Sequence, residues 1–304
     1  VNDARNRVAV KEAVKKKFNG RQKLNCKIQV RYKENLEREY QRVINAYYDL
    51  LLKVLLNTTR LLFIGQEPLQ EAQAGFRTDG FKDNLVNLIR RLFRKAGDDF
   101  HNEEQAFHLS EKINKIGNLT KRLSTEDWKR EVSRTLGINI LDDYYSGEFY
   151  REQLKLWADE NASLISTLPE EVLGEMQAIV EDGFLNGRSN RDIVKEIQER
   201  FNVSRNKARF YAVDQLAKLN ASITQQQQTE CGVEEYIWSS SKDQRVRERH
   251  AQLDGTKHRW DTPPIVDEKT GRRAHPGEDY RCRCVALPVF NIETLNIPAD
   301  IKIK

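Results

Sequence analysis

Hydrophobic positions recur with a helical period over most of the chain. Within residues 34–62, Leu36, Tyr40, Val43, Tyr47, Leu51 and Val54 fall on one stripe, and Ile44, Leu52, Leu55 and Leu56 widen it. Spacings of three and four residues put such side chains on one helix face. The segment is therefore predicted as a long helix, closed by Gly65 and Pro68. Residues 75–80 read as a loop. Residues 81–96 repeat the pattern through Leu85, Leu88, Ile89, Leu92 and Phe93, with Gly97 as the expected stop. Shorter helices are predicted over residues 110–116 and 125–136, and a longer one over 142–166. Thr167 and Glu170 have capping-box spacing, which predicts a fresh helix start there. That helix runs to about Leu185, with Val172, Leu173, Met176, Ile179 and Val180 inward and Gly187 beyond its end. Ser189 opens another helix ending near Phe201, and Ser204 is expected to cap a last one through about Thr229. Gln225, Gln226, Gln227 and Gln228 read as an exposed face.

The pattern changes at Gly232. Residues 233–238 are strand-like, and from Ser239 onward turn residues separate short apolar pieces. The predicted fold is mainly α: an elongated helical N-terminal three-quarters followed by a small irregular α+β C-terminal region. Four segments follow from this: a basic arm (1–33), a helical region (34–150), a helical lead-in (151–231) and an irregular tail (232–304).

Charge sharpens the first boundary. The chain carries 51 Lys and Arg against 46 Asp and Glu, a formal net charge of +5. Residues 1–33 hold 11 of the cations and only two acids, Asp3 and Glu12, a local +9 that leaves −4 for the rest. Val10, Val14 and Phe18 recur at four-residue spacing, so a helix over residues 8–18 ending at Gly20 is predicted within the arm. Lys11, Lys15, Lys16, Lys17, Arg21, Lys23, Lys27 and Arg31 are its candidate contacts with DNA or with a partner surface. Such a run suits sequence-independent, salt-sensitive neutralisation of phosphates on double-stranded DNA. Phe18 and Tyr32 are too few for a base-stacking platform. Docking on an acidic protein surface and a solvated arm are the competing readings.

Composition excludes several classes. The best apolar candidate for a membrane span, residues 47–64, is broken by Asp49, Lys53, Asn57 and Arg60. Residues 1–33 lack the apolar core of a signal peptide. Four cysteines in 304 residues make no disulfide framework. The expectation is a soluble protein made in a reducing cytoplasm, with no membrane partner.

The tail concentrates the candidate chemistry. Cys282 and Cys284 form an i, i+2 pair whose thiols share one face of an extended segment. His275 precedes them across a Pro-Gly turn, and His250 is the nearest candidate for a fourth ligand, with His258 as its rival. Two thiolates and two imidazoles suit one structural zinc ion in a closed tetrahedral shell. The alternative is two buried thiols and two hydrogen-bonded histidines in a turn-rich core. Asp243, Arg245, Arg247, Asp254 and Arg283 are read as a structural polar cluster, because Arg offers a planar fork to carboxylates and an irregular chain must satisfy its backbone through side chains. A polar binding site is the other reading.

Catalysis is not expected. No nucleophile elbow, phosphate-binding loop or zinc-protease helix is present, and a closed zinc shell leaves no place for water. A metal-dependent nuclease or other hydrolase using the His/Asp/Cys cluster is the alternative.

Taken together, Trp238, Asp243-x-Arg245-x-Arg247-x-x-His250-x-x-Leu253-Asp254-Gly255, Pro263-Pro264, His275-Pro276 and Cys282-Arg283-Cys284 resemble the signature of the phage head morphogenesis family, the Mu F-like minor head proteins. Gly187-Arg188-Ser189 and Val203-Ser204 extend the resemblance back to about residue 155. Two departures stand out. Tyr211-Ala-Val-Asp214 replaces the family's Ala-Arg-Thr-Glu run, and five residues separate Pro276 from Cys282. The resemblance implies a minor capsid component of a tailed phage, located in the virion head near the portal vertex after synthesis in the host cytoplasm. It implies as partners the portal protein and the major capsid or scaffolding protein, with a link to DNA packaging or ejection.

Overall fold

The computed structural model describes residues 2–28, 30–63, 81–141 and 148–300. The loop predicted at 75–80, the closing Gly65 and Pro68, and the helix start at Asp142 lie outside them. Among the described residues the fold is mainly helical up to Glu230, with short strands after it. The long helices are α1 (Asn2–Lys17), α2 (Glu34–Phe63), α3 (Phe81–Phe107), α4 (Leu109–Leu136), α5 (Glu148–Leu185) and α6 (Asn190–Glu230). None is long and apolar enough to cross a membrane.

Several expected helix breaks are absent. The apolar stripe of α3 runs on from Ile89 and Phe93 through Ala96 to Phe100, all buried, so the helix passes through Gly97. A glycine there costs about 1 kcal/mol against alanine, less than that burial returns. The break falls instead at His108, whose φ is +53°. The predicted 110–116 and 125–136 helices are one element. Its Gly117 lies against the Trp157 ring, where an added Cβ would sit 3.1 Å away, so the residue serves packing and not termination. Thr167 does not cap a helix. Its hydroxyl donates to the Leu164 carbonyl within the continuous α5, which also contains Pro169. Ser204 likewise lies inside α6, buried, with its hydroxyl 2.7 Å from that of Tyr48. Ser189 does cap α6, accepting from the Asp192 amide at 3.2 Å.

The chain divides into two compact units, each built from separated segments. One comprises Val1–Glu37, Lys115–Trp157 and Val213–Lys304, the other Arg38–Asn114 and Ala158–Ala212. These divisions cut across the sequence boundaries at 33, 150 and 231. The second unit is an aromatic-cored helical assembly. Tyr47 meets Phe100 edge-on at 5.7 Å, and Tyr48 meets Phe201 at 5.8 Å. The expected inner stripe of α2 is buried at Leu36, Tyr40, Ile44, Tyr47, Leu51, Val54 and Leu55, whereas Leu52 and Leu56 face outward.

The first unit holds the tail and the start of the chain in one sheet. Its strands run β1 (Lys23–Asn25), β7 (Val285–Asn291), β3 (Glu235–Ser239), β4 (Lys257–Arg259) in spatial order, all pairs antiparallel. Leu24 pairs with Phe290 across the β1–β7 edge. β2 (Asn139–Ile140) pairs with β8 (Ala299–Asp300), and β5 (Ile265–Asp267) with β6 (Arg272–Arg273). A short helix, α7 (Glu248–Leu253), interrupts the tail. The basic segment is thus built into the fold: Val10 and Val14 are buried in a cluster with Trp128, Val132, Phe290 and Ile297.

The end of α6 locks onto this sheet. The Val233 amide donates to Gln228 O and the Gly232 amide to Thr229 O, a Schellman cap with Gly232 at φ +78°. The glutamine run is not an exposed face. Gln228 is fully buried, donates to the Ala286 carbonyl at 2.9 Å and accepts from the Trp260 indole at 3.3 Å. Gln227 donates to Thr125 Oγ1, so Thr125 serves packing between helices.

Candidate metal centre

The tail is short of regular ladders, and a compact aromatic cluster sets the position of its polar side chains. Tyr236 and Trp238 on β3 pack with Trp260, Leu253, Cys282 and Cys284. α7 presents His250 against the Trp238 ring, edge-on at 5.3 Å. The segment before β7 brings Cys282 and Cys284 to the same place. His250 Nδ1 lies 3.4 Å from Cys282 Sγ and 3.7 Å from Cys284 Sγ, and all three residues are buried. Their ligand atoms lie within 4.8 Å of one another. A tetrahedral zinc with bonds of about 2.3 Å to sulfur and 2.0 Å to nitrogen would set N···S at about 3.5 Å. The three side chains therefore fit a zinc ion as they stand.

The far nitrogen of His250 has its own partner. His250 Nε2 lies 3.2 Å from Asp279 Oδ2. Asp279 is buried and also faces Arg247 at 3.3 Å and Arg272 at 3.0 Å, while the Tyr280 amide donates to its other oxygen at 2.9 Å. A carboxylate on the second nitrogen fixes the tautomer that leaves Nδ1 free to bind a metal. Burial opposes a charge on His250, but contacts with Asp279 and Cys282 lift it to about 9. A hydrogen bond from Cys284, aided by His250, holds the Cys282 thiol well below its ordinary range against the effect of burial. The same contact and burial push Cys284 up. Burial would raise Asp279 too, yet its hydrogen bonds and the two guanidinium groups hold it low.

His275 does not join the cluster. Its Nδ1 is 2.8 Å from the Tyr236 hydroxyl, and its ring packs against Trp260 at 4.8 Å. His258, the rival ligand, instead lies 2.7 Å from Thr256 Oγ1. The extra residues between Pro276 and Cys282 explain the miss: they form the turn that inserts Asp279 behind His250.

The remaining polar residues hold loops. Arg283, between the two cysteines, donates to both oxygens of Glu37 at 2.7 to 3.0 Å. Arg245 bonds Asp243 and Glu34, and that contact holds Asp243 below the usual carboxylate range. Arg247 donates to Tyr280 O at 2.7 Å as well as to Asp279. Asp254 ends α7 and accepts from the Ser240 amide at 2.7 Å. Arg245, Arg247 and Arg283 are thus paired with Glu34, Glu37, Asp243 and Asp279. None of these partners was read from the sequence except Asp243, because Glu34 and Glu37 are 211 and 246 residues distant and Asp279 lies in a spacer. Arg281 donates its amide to Asp214, at the position where the expected glutamate of the family run is replaced.

The nominated cations of the first 33 residues divide into two sets. Lys11 and Lys15 face Glu293, and Lys23 pairs with Glu235 at 2.8 Å. Lys16, Lys17, Arg21, Lys27 and Arg31 are exposed, with no carboxylate partner among the described residues.

Residues 175–287 match the family model described as phage Mu protein F like protein, and the match runs from within α5 to β7 and encloses all three candidate ligands. The resemblance carried by the tail motifs is borne out over that span. A relative from Haemophilus influenzae (strain ATCC 51907 / DSM 11121 / KW20 / Rd), described as an uncharacterized protein, is 37% identical over 233 residues, covering 74% of this chain and 49% of the relative. The chain thus spans about half the length of that relative. No solved structure matches.

Proposed function

We propose that this chain is a head morphogenesis protein of a tailed bacteriophage, a minor component that works at the portal vertex by binding. One observation carries the reading: the family match over residues 175–287 coincides with the segment whose buried His250, Cys282 and Cys284 fit a structural metal. In this reading one zinc ion, held by those three side chains, fastens the irregular tail to α7. When bound it would supply a cross-link between α7 and the segment before β7. Portal protein and major capsid or scaffolding protein are the partners. The exposed Lys16, Lys17, Arg21, Lys27 and Arg31 form the DNA-facing set. Binding is favoured over hydrolysis because the cavity beside the cluster measures about 20 Å³, room for a water and not for a substrate.

Two measurements test this. Co-expression with the portal and scaffolding proteins of the same phage is expected to give co-sedimenting assemblies; a chain that always sediments alone overturns the assignment. For DNA, deletion of residues 1–33 is the wrong perturbation, since it removes β1 and the buried face of α1. Charge reversal of the five exposed cations in the full chain is expected to abolish salt-sensitive DNA retention. Unchanged retention removes DNA contact from the proposal.

A further inference from the structure

The geometry points to a fourth metal ligand that is not a protein group: a single, exchangeable water molecule seated beside the two cysteine sulfurs. This rests on the metal reading above and changes its character, from a closed shell to an open one.

The argument is one of elimination among named groups. Three ligand atoms converge among the described residues, and a tetrahedral ion needs a fourth. His275 is engaged by the Tyr236 hydroxyl and held by Trp260. Asp279 sits on Nε2, across the imidazole ring from the nitrogen that faces the sulfurs. The cavity at the cluster is lined by His250, Cys282, Cys284, Ser241, Asp243 and arginine side chains. Asp243 is the one carboxylate on that lining, and both of its oxygens are taken by Arg245: Oδ1 by the amide at 2.9 Å, Oδ2 by the guanidinium at 2.6 and 3.1 Å. Guanidinium groups carry no lone pair for a metal, and the hydroxyl of Ser241 is not among the side chains that zinc takes as ligands.

Size and charge then select the ligand. The cavity at the cluster measures only about 20 Å³, which the ion itself must share, so a carboxylate arriving from a partner or substrate does not fit and water is the smallest ligand that completes the shell. A divalent ion with two thiolates and a neutral imidazole is already electroneutral. A further anion would leave an uncompensated buried charge, which is costly, and Arg245, Arg247 and Arg283 are already paired with carboxylates. A neutral water adds no charge.

The experiment uses the full chain with cobalt(II) in place of zinc, prepared in water enriched in oxygen-17, and reads electron–nuclear double resonance. The expected result is one cobalt per chain with a hyperfine coupling from a directly bonded oxygen-17. The H275Q variant is expected to keep one metal and the same spectrum. Stoichiometric cobalt without that coupling, or a spectrum altered in H275Q, overturns the open position and leaves the metal reading standing. A wild-type chain that takes up no cobalt overturns both. The wild-type measurement stands by itself should H275Q fail to fold.

Discussion

Replacing Arg283 by alanine would leave the Glu37 carboxylate buried without its counter-charge. The pair is bidentate, with contacts of 2.7, 2.8 and 3.0 Å, and each side chain is only 9% exposed. At that exposure solvent screens little, so the surface value of about 0–1 kcal/mol does not apply. Breaking one side of a buried pair costs about 3–5 kcal/mol, which is two to nearly four decades in the folding equilibrium. R283A is therefore expected to lose that much in urea unfolding of the transition that reports the first unit. E37A should lose a similar amount. The double variant should lose clearly less than the sum, because the second truncation removes a group already stranded. R283K keeps the charge but loses the fork, so it should fall between wild type and R283A. Under the proposed metal reading, metal uptake should fall with stability in R283A, since Arg283 lies between Cys282 and Cys284. A loss below about 1 kcal/mol in R283A would refute the reasoning, for it would mean the pair behaves as a screened surface contact.

Two further outcomes follow from the packing. In G232A the new Cβ would sit 1.9 Å from the Thr294 carbonyl oxygen on a residue with φ +78°, whereas G271A places one in open space at φ +68°. The left-handed conformation alone costs about 1–2 kcal/mol, so thermal melts should show G232A losing well over twice what G271A loses; equal losses would remove the close approach from the account. Glu131 is buried, and burial first and Asp127 second raise its pKa well above the ordinary 4.5, against Arg130 and Lys33, with Cys26 also nearby. A raised carboxyl holds its proton longer in the folded state, so its contribution to stability is full below the unfolded value and declines as pH rises toward the folded one. E131Q removes that decline. Its advantage over wild type should grow by about 1.4 kcal/mol per pH unit across that interval, and a gap independent of pH in denaturant titrations would contradict the assignment.

Periodicity identified where helices run, because burying a stripe is a local property of spacing. It misplaced where they end. Gly97, Gly117, Thr167 and Ser204 carry residue types that break or cap a helix in isolation, yet each lies inside one. Tertiary partners decide these cases: Phe100 continues a buried stripe, Trp157 needs a neighbour without a side chain, and Tyr48 supplies a hydroxyl to Ser204. The glutamine run fails for the same reason. Gln228 is polar by type but pairs inside with Ala286 and Trp260, contacts 58 and 32 residues away.

The site shows where sequence reasoning stops. An i, i+2 cysteine pair states that two thiols share a face, and this is legible. Which histidine completes the set is not, since His250 and His275 offer the same atoms. The choice is made one layer out, by the groups that hold each ring. Asp279 binds the far nitrogen of His250 and turns Nδ1 toward the sulfurs, whereas Tyr236 hydrogen-bonds to Nδ1 of His275. The charge pattern of residues 1–33 has the same limit. Its +9 was legible, but β1 and the buried face of α1 make that segment an edge of the tail's own sheet. Several of its cations therefore neutralise Glu235 and Glu293 at home, and only the exposed remainder is left to meet a polyanion.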